Sequence, residues 1–513
     1  MLLQDLLERA AAAHGDQPAA IDSRRTATYS EVDRQANRVA HLLRSNGVGR
    51  GDRVLLALEN SIAFIACYFG ILKAEAVVVP MAPGPQNDRL EAAVADCTPA
   101  AAIVDRPTFE ILRSKGVAGR LRATFVTSAN GPAGDGAAMD IETAVAGCPD
   151  SRPSSSAIDI DLAAIIYTSG STGAPRGVML SHLNFVANAR SIVGYLRLEP
   201  NDRVMAVLPF HYVYGLSLLH THVMVGGTVV IENGFLFPNL VLKKMAHHEV
   251  TGFAGVPSSF AILLRRSAIA TTVLPHLRYV TQAGGPMPPA LVREWRAVMP
   301  AVPLVVMYGA TEAAARLTYL DPAELDARVG SVGRPIPNVE IAILRDDGRR
   351  AAPGEVGELV ARGSNISAGY WNSPVETGER FTALGYHTGD LGYADADGFI
   401  YLVARKHDML KVGAHRVGVR EIEDVVYEHP DVHEAAIVGI EHALLGEAPA
   451  AFVAPRDAST LTPDEIIRFC RGRLPEHKVP VRVTIVRELP KNASGKIDRL
   501  ALRDEAGRQA AAV

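Results

Sequence analysis

Tyr167-Thr168-Ser169-Gly170-Ser171-Thr172-Gly173-Ala174-Pro175-Arg176-Gly177 follows directly on the apolar run Leu162 to Ile166. The run reads as a buried strand, and the residues after it as a turn leaving its C-terminal end. Thr168, Ser169, Ser171 and Thr172 supply four hydroxyls, Gly170, Gly173 and Gly177 let a ligand approach the backbone N–H groups, and Arg176 adds a fixed cation. Hydroxyl donors and a guanidinium suit phosphate oxygens, so the stretch fits a triphosphate tail. A Gly/Ser surface loop is the plain alternative, but a strand this apolar argues against it. The GK[ST] of a Walker loop is absent, and no dinucleotide fingerprint accompanies the turn.

On either side, strand-like and helix-like segments alternate. Ser30 is expected to open a helix, with Asp33 at capping-box spacing, Val32, Ala36, Val39 and Leu43 on one face, and Gly47 as the stop. Arg53 to Leu58 reads as a strand, Ile62 to Leu72 as a helix, and Val77 to Val79 as a strand ended by Pro80. Such alternation predicts an α/β fold with much parallel sheet. After about residue 403 the pattern changes. A helix over Arg420 to Glu428, a strand over Ala435 to Ile440, a helix capped by Thr462 with Pro463 first and Ile466, Ile467, Phe469 and Cys470 inward, and a strand over Val481 to Val486 make a small α+β unit. The expected organisation is a large N-terminal domain of layered α/β subdomains, 1–403, and a smaller lid domain, 404–513.

The chain has 513 residues, 48% hydrophobic and 21% charged, enough to bury a large core unaided. Its 52 Lys+Arg and 56 Asp+Glu give a net charge of −4, which excludes a polybasic nucleic-acid binder. The cysteines, Cys67, Cys97, Cys148 and Cys470, lie far apart with no CxxC pair, so neither a zinc site nor a disulfide framework is expected. No uninterrupted apolar run approaches the ~20 residues of a membrane span. Asp5 and Glu8 stand where a signal peptide would carry basic residues. The expected compartment is the cytoplasm.

Four further stretches follow the first in order: Ala283-Gly284-Gly285-Pro286, Tyr308-Gly309-Ala310-Thr311-Glu312, Tyr386-His387-Thr388-Gly389-Asp390 and Leu489-Pro490-Lys491-Asn492-Ala493-Ser494-Gly495-Lys496-Ile497-Asp498-Arg499. Taken together and in this order, the sequence resembles the AMP-forming adenylating superfamily of acyl-CoA synthetases, peptide-synthetase adenylation domains and beetle luciferases. The resemblance spans nearly the whole chain. It implies that the loop through Thr168 to Gly173, with Arg176 where lysine is usual, closes over the β- and γ-phosphates of ATP. Gly284 and Gly285 would lie along adenine and the acyl pocket. Tyr308 and Gly309 would hold adenine, Thr311 the α-phosphate, and Glu312 a magnesium ion. Asp390 would bind the ribose hydroxyls, and Arg405 ribose or phosphate. Lys496 would bridge the attacking carboxylate and the α-phosphate.

The resemblance also places a hinge at His407 and a pantetheine tunnel along Lys411, Gly413, Ala414 and His415. Ala404 and Ala414 stand where glycine is usual. In Leu208-Pro209-Phe210-His211-Tyr212-Val213-Tyr214-Gly215-Leu216, similar to the family's aromatic gate, Tyr212 takes the gate position. Val213 falls where amino-acid-activating members place an acid. A valine cannot pair an ammonium group, so an acid lacking an α-amino group is expected. Phe253, Ala254, Gly255 and Val256 are expected to form another apolar wall of that pocket.

The implied reaction is ATP-dependent activation of a carboxylic acid, fatty or otherwise apolar, to acyl-AMP with release of pyrophosphate, followed by thioester formation with CoA. The acceptor could instead be the phosphopantetheine of a carrier protein. A non-catalytic acyl- or nucleotide-binding protein is the alternative of another class, motivated by Arg176, Ala404 and Ala414.

Overall fold

The structure, a computed structural model, describes residues 1–85, 89–127, 138–169, 175–413, 415–442, 444–456, 459–491 and 497–511. Gly170, Ser171, Thr172, Gly173, Ala414 and Lys496 lie outside the described residues, and of Ser169 and His407 only the backbone is described.

Two largely parallel sheets carry the N-terminal part. One runs Met139–Asp140, Ala123–Val126, Ala101–Val104, Arg53–Ala57, Val77–Pro80, Leu162–Ser169, Pro175–Ser181, parallel except for its last pair. The other is nine-stranded and runs parallel from Leu304–Tyr308 through Tyr279–Gln282, Gly252–Gly255, Arg203–Ala206 and Thr228–Ile231 to Pro18–Ile21, with antiparallel strands at both edges. Each is apolar on both faces because each is covered on both. Within Arg53–Ala57, Val54 and Leu56 join the central core between the sheets, while Leu55 and Ala57 face the outer core with helices Leu90–Cys97 and Arg106–Ser114. Within Gly252–Gly255, Ala254 faces the central core and Phe253 the outer core with helices Pro238–His247, Pro257–Arg266 and Pro289–Val298. The stack therefore reads helix, sheet, helix, sheet, helix.

The helix expected from Ser30 runs Tyr29–Ser45 and is capped two residues earlier, at Thr28. Thr28 Oγ1 accepts from Glu31 N at 3.3 Å and Glu31 Oε2 accepts from Thr28 N at 2.8 Å, so the box is Thr28/Glu31 and Ser30 sits within the first turn. The strand Leu162–Ser169 pairs antiparallel with Pro175–Ser181 and sets Thr168 opposite Arg176.

A third sheet, wholly antiparallel, comprises Val339–Leu344, Gly357–Gly363, Gly385–Ala394, Phe381–Thr382 and Ile400–Arg405. The fourth holds His415–Gly418, Met409–Val412, Gly446–Pro455, Val432–His442 and Arg482–Ile485 with its own core and helices Val419–Tyr427 and Pro463–Arg471. Thr462 and Glu465 form the expected cap, but only Ile466 and Cys470 of that helix are fully buried. The helix covers its sheet through a narrow stripe, leaving Ile467 and Phe469 at its margin.

Several contacts between the fourth-sheet unit and the rest are polar. Arg265 donates to the His433 carbonyl at 2.9 Å, Arg420 to the Leu402 carbonyl at 3.3 Å, and Arg293 lies 3.9 Å from Glu428. Among the described residues, the four cysteines are free and no helix is long and apolar enough to cross a membrane.

Candidate active site

Three of the sheets deliver residues to one place. The strand Leu304–Tyr308 ends at Tyr308, whose hydroxyl donates to Asp390 Oδ2 at 2.6 Å. Asp390 lies opposite Arg405 on the neighbouring strand, with Arg405 Nε 3.2 Å from Oδ1. Burial, then the Asp390 charge, pushes the Tyr308 hydroxyl well above its usual range, so it stays protonated and remains a donor. Each Asp390 oxygen keeps a second lone pair for a ligand hydroxyl.

Thr311 opens a single 3₁₀ turn, Thr311–Ala313, that carries Glu312. Glu312 Oε1 accepts from the Tyr370 hydroxyl at 2.8 Å, and its backbone carbonyl accepts from Ser367 N at 2.7 Å. Tyr370 also lies beneath Arg176, 5.8 Å from guanidinium carbon to ring centroid, and Arg176 pairs with Glu376 at 2.9 Å. Tyr386 is buried against Ala313 beside Tyr308 and joins the two groups of residues. The structure thus brings together Thr168, Arg176, Tyr308, Thr311, Glu312, Asp390 and Arg405, which the sequence distributes over more than two hundred positions.

Two glycines are fixed by geometry. Gly284 takes φ 83° beyond the strand Tyr279–Gln282. At Gly309 a Cβ would fall 1.8 Å from the Ala315 carbonyl oxygen, so only glycine lets the chain after Glu312 cross back over the strand end. Gly285 is held by its carbonyl, which accepts from Gln282 Nε2 at 2.8 Å.

In the expected acyl pocket, Tyr212 precedes helix Val213–Val225, and Val213 is buried in the central core. Phe253 is not in that wall. Its ring packs 6.0 Å from Phe260 and 6.2 Å from Phe235 on the opposite face of the sheet, because successive strand residues alternate sides. Ala254, expected in the same wall, does share Val213's core. Gly255 sits at that strand's end, where a Cβ would come within 2.9 Å of Ser259.

The expected hinge falls on a 3₁₀ turn, Lys406–Asp408, between the third and fourth sheets, and Asp408 pairs with Arg503 at 2.6 Å. Lys411 and His415 flank a hairpin tip where Gly413 adopts φ 58° and donates to the Leu445 carbonyl. His415 stacks on His477 with centroids 4.0 Å apart. The loop carrying Lys496 is closed at its base by a bridge between Lys491 and Ile497.

Sequence reasoning missed Tyr370 and Glu376, and gave no role to Tyr386, which it quoted only as the first residue of the stretch ending at Asp390. Tyr370 lies 58 positions from Glu312, with no spacing pattern to link them. The donor set also bears on magnesium. Among the described residues no three His, Cys, Asp or Glu side chains cluster as a metal site. Glu312 offers one oxygen beyond the one Tyr370 engages. A single carboxylate fits Mg²⁺ arriving on nucleotide phosphates, the usual way proteins hold it.

The sequence model described as AMP-binding enzyme matches residues 7–371, and that of the AMP-binding enzyme C-terminal domain matches residues 421–496. The long-chain-fatty-acid–CoA ligase of Salmonella typhimurium is 32% identical over 98% of this chain and 94% of its own. The anthranilate CoA ligase AuaEII, solved with anthranoyl-AMP, superimposes with a TM-score of 0.92 at 26% identity, covering 100% of this chain and 98% of that one. ATP-bound MatB from Rhodopseudomonas palustris gives a TM-score of 0.89 at 28% identity over 98% and 99%. With both family models matched in order on a shared fold, the chain belongs to the AMP-binding enzyme family, the AMP-forming adenylating superfamily its motifs resemble.

Proposed function

We propose that the protein is an AMP-forming acid–thiol ligase that converts a carboxylic acid to acyl-AMP with release of pyrophosphate, then to a CoA thioester. The observation that carries this reading is the joining of Arg176, Glu312, Tyr308 and Asp390 into one site through Tyr370 and Tyr386. Asp390, oriented by Tyr308 and Arg405, accepts from the ribose hydroxyls. Tyr308 packs on adenine, with Gly284, Gly285 and Gly309 leaving room beside it. Thr311 contacts the α-phosphate. Thr168 and the loop through Gly173 cradle the outer phosphates with Arg176.

The chemistry is charge management. A carboxylate must attack the α-phosphorus of a polyanion in line, and cations placed beforehand lower that barrier. Glu312 would hold Mg²⁺, which would supply further offsetting charge. Lys496 serves adenylation, and Lys411 to His415 line the thiol's path after the 404–513 unit, proposed as a separate domain, turns about His407. The polar contacts of Arg265, Arg293 and Arg420 suit a unit that moves, since such contacts re-form with water at little net cost.

The test is ATP–pyrophosphate exchange across short, medium, long, aryl and α-amino acids. Exchange should require acid. With Val213 leaving no anion for an α-ammonium, non-amino acids should exceed their amino counterparts about a hundredfold in kcat/KM. ATP cleavage to ADP, or exchange confined to α-amino acids, would overturn the reading.

A further inference from the structure

One buried cation has no part in the scheme above. Arg316 lies in the otherwise apolar run Ala313-Ala314-Ala315-Arg316-Leu317 and is 2% exposed. Among the described residues no carboxylate pairs with it. Its hydrogen bonds are to Met307 Sδ, 3.1 Å from Nε, to the adjacent Ala315 carbonyl, 3.4 Å from Nη1, and to the Tyr195 hydroxyl, which itself donates to Met307 Sδ. The first acceptor is weak and the second bond is long. Its guanidinium carbon stands 4.3 Å from the centroid of Tyr214, and its charge opposes the burial-driven rise of the Tyr195 and Tyr214 hydroxyls. Ring faces offset only part of the cost of burying a group with five N–H donors. Arg176 and Arg278, both more exposed, each have an acid.

The backbone is arranged to hold Arg316 there. Asn188 and Asn365 each donate through Nδ2 to the carbonyls of both Ala313 and Arg316, at 2.7 to 3.3 Å. Ala314 and Ala315 are held at φ 51° and 117°, the second a conformation an L-residue adopts only under constraint. Strain of this kind collects at ligand sites. Val213, Tyr214, Ala254, Ala283 and Met307 belong to the same apolar cluster as Ala314 and Ala315. A Cβ on Gly309 would come 2.9 Å from the Arg316 Cα, so the cation is rooted against the strand that ends at Tyr308.

We propose that Arg316 is a specificity-determining residue that receives a second carboxylate on the acid, so that the substrate is a dicarboxylic acid with a short apolar spacer, activated at one end. The inference rests on the proposed function. Bidentate geometry makes a guanidinium the fitting receptor for a planar carboxylate. The same charge repels an α-ammonium, in accord with Val213.

The test compares α,ω-dicarboxylic acids, and carboxyl-substituted benzoates, with monocarboxylic acids of equal length. Wild type and the Arg316→Met and Arg316→Lys variants are assayed by pyrophosphate exchange and, independently of turnover, by the rise in melting temperature that each acid produces with AMP present. Wild type should favour the best diacid at least about tenfold in kcat/KM. Arg316→Met should lower that acid about a hundredfold while leaving or raising its monoacid partner, and Arg316→Lys should fall between. Exchange with monoacids but not diacids, or an Arg316→Met loss equal for both classes, would overturn the inference and leave the ligase reading standing. If no acid supports exchange, the ligase reading fails, and the melting shifts still decide this one. A diacid shift present in wild type and absent without the arginine sustains Arg316 as the receptor of the second carboxylate, and equal shifts for both acid classes in wild type refute it. The wild-type panel decides alone if Arg316→Met does not fold.

Discussion

Lys496→Ala is expected to lower acyl-AMP formation about a hundredfold to a thousandfold while leaving thioester formation from preformed acyl-AMP within a few-fold of wild type. Losing one cation that offsets developing charge costs several kcal/mol of transition-state stabilisation. The split follows from placing Lys496 at the reacting atoms in one arrangement of the C-terminal unit only. Single-turnover assays of each half-reaction measure it. Equal loss in both would contradict the two-arrangement scheme.

Asp390→Ala is expected to lower kcat/KM for ATP about a hundredfold or more. Hydrogen bonds to a charged partner contribute ~1.5–3 kcal/mol each, and the ribose offers two donors. The substitution also removes the acceptor of the Tyr308 hydroxyl, 2.6 Å away, and the partner of Arg405. Asp390→Asn keeps an acceptor and should lose less. The effect should fall on ATP and leave KM for the acid nearly unchanged. A change in kcat/KM for ATP below threefold would remove Asp390 from the nucleotide site.

Much of the site could be read from sequence because its chemistry is concentrated in short stretches. Tyr308 to Glu312 and Tyr386 to Asp390 each hold several functional groups within five positions, and the structure packs the two stretches together through Tyr308 and Asp390. The parallel sheets were legible because strands buried on both faces are continuous apolar runs, as at Leu162 to Ile166. The antiparallel third sheet was not, since its strands mix polar and apolar residues, as in Gly385–Ala394.

Phe253 was misplaced because an apolar residue in a doubly covered strand gives no sign of which face it takes. Its neighbour Ala254 shows the answer only once the layers are known. The Thr28/Glu31 cap was mistaken for Ser30/Asp33 because both pairs have capping-box-like spacing, and only the hydrogen bonds distinguish them. Arg316 carried a signal that went unread. A single charge within an alanine-leucine run must be solvated, paired or functional; burial removes the first option, and among the described residues no carboxylate pairs with Arg316.

The central claim is that the acid's own oxygen attacks the α-phosphorus of ATP. It is tested most directly with a substrate acid whose carboxylate carries ¹⁸O, turned over with ATP, Mg²⁺ and CoA, and with the products examined by mass spectrometry. The account predicts one labelled oxygen in AMP for each thioester formed, and none in pyrophosphate. Label appearing in inorganic phosphate alongside ADP, or AMP released without label, would contradict it.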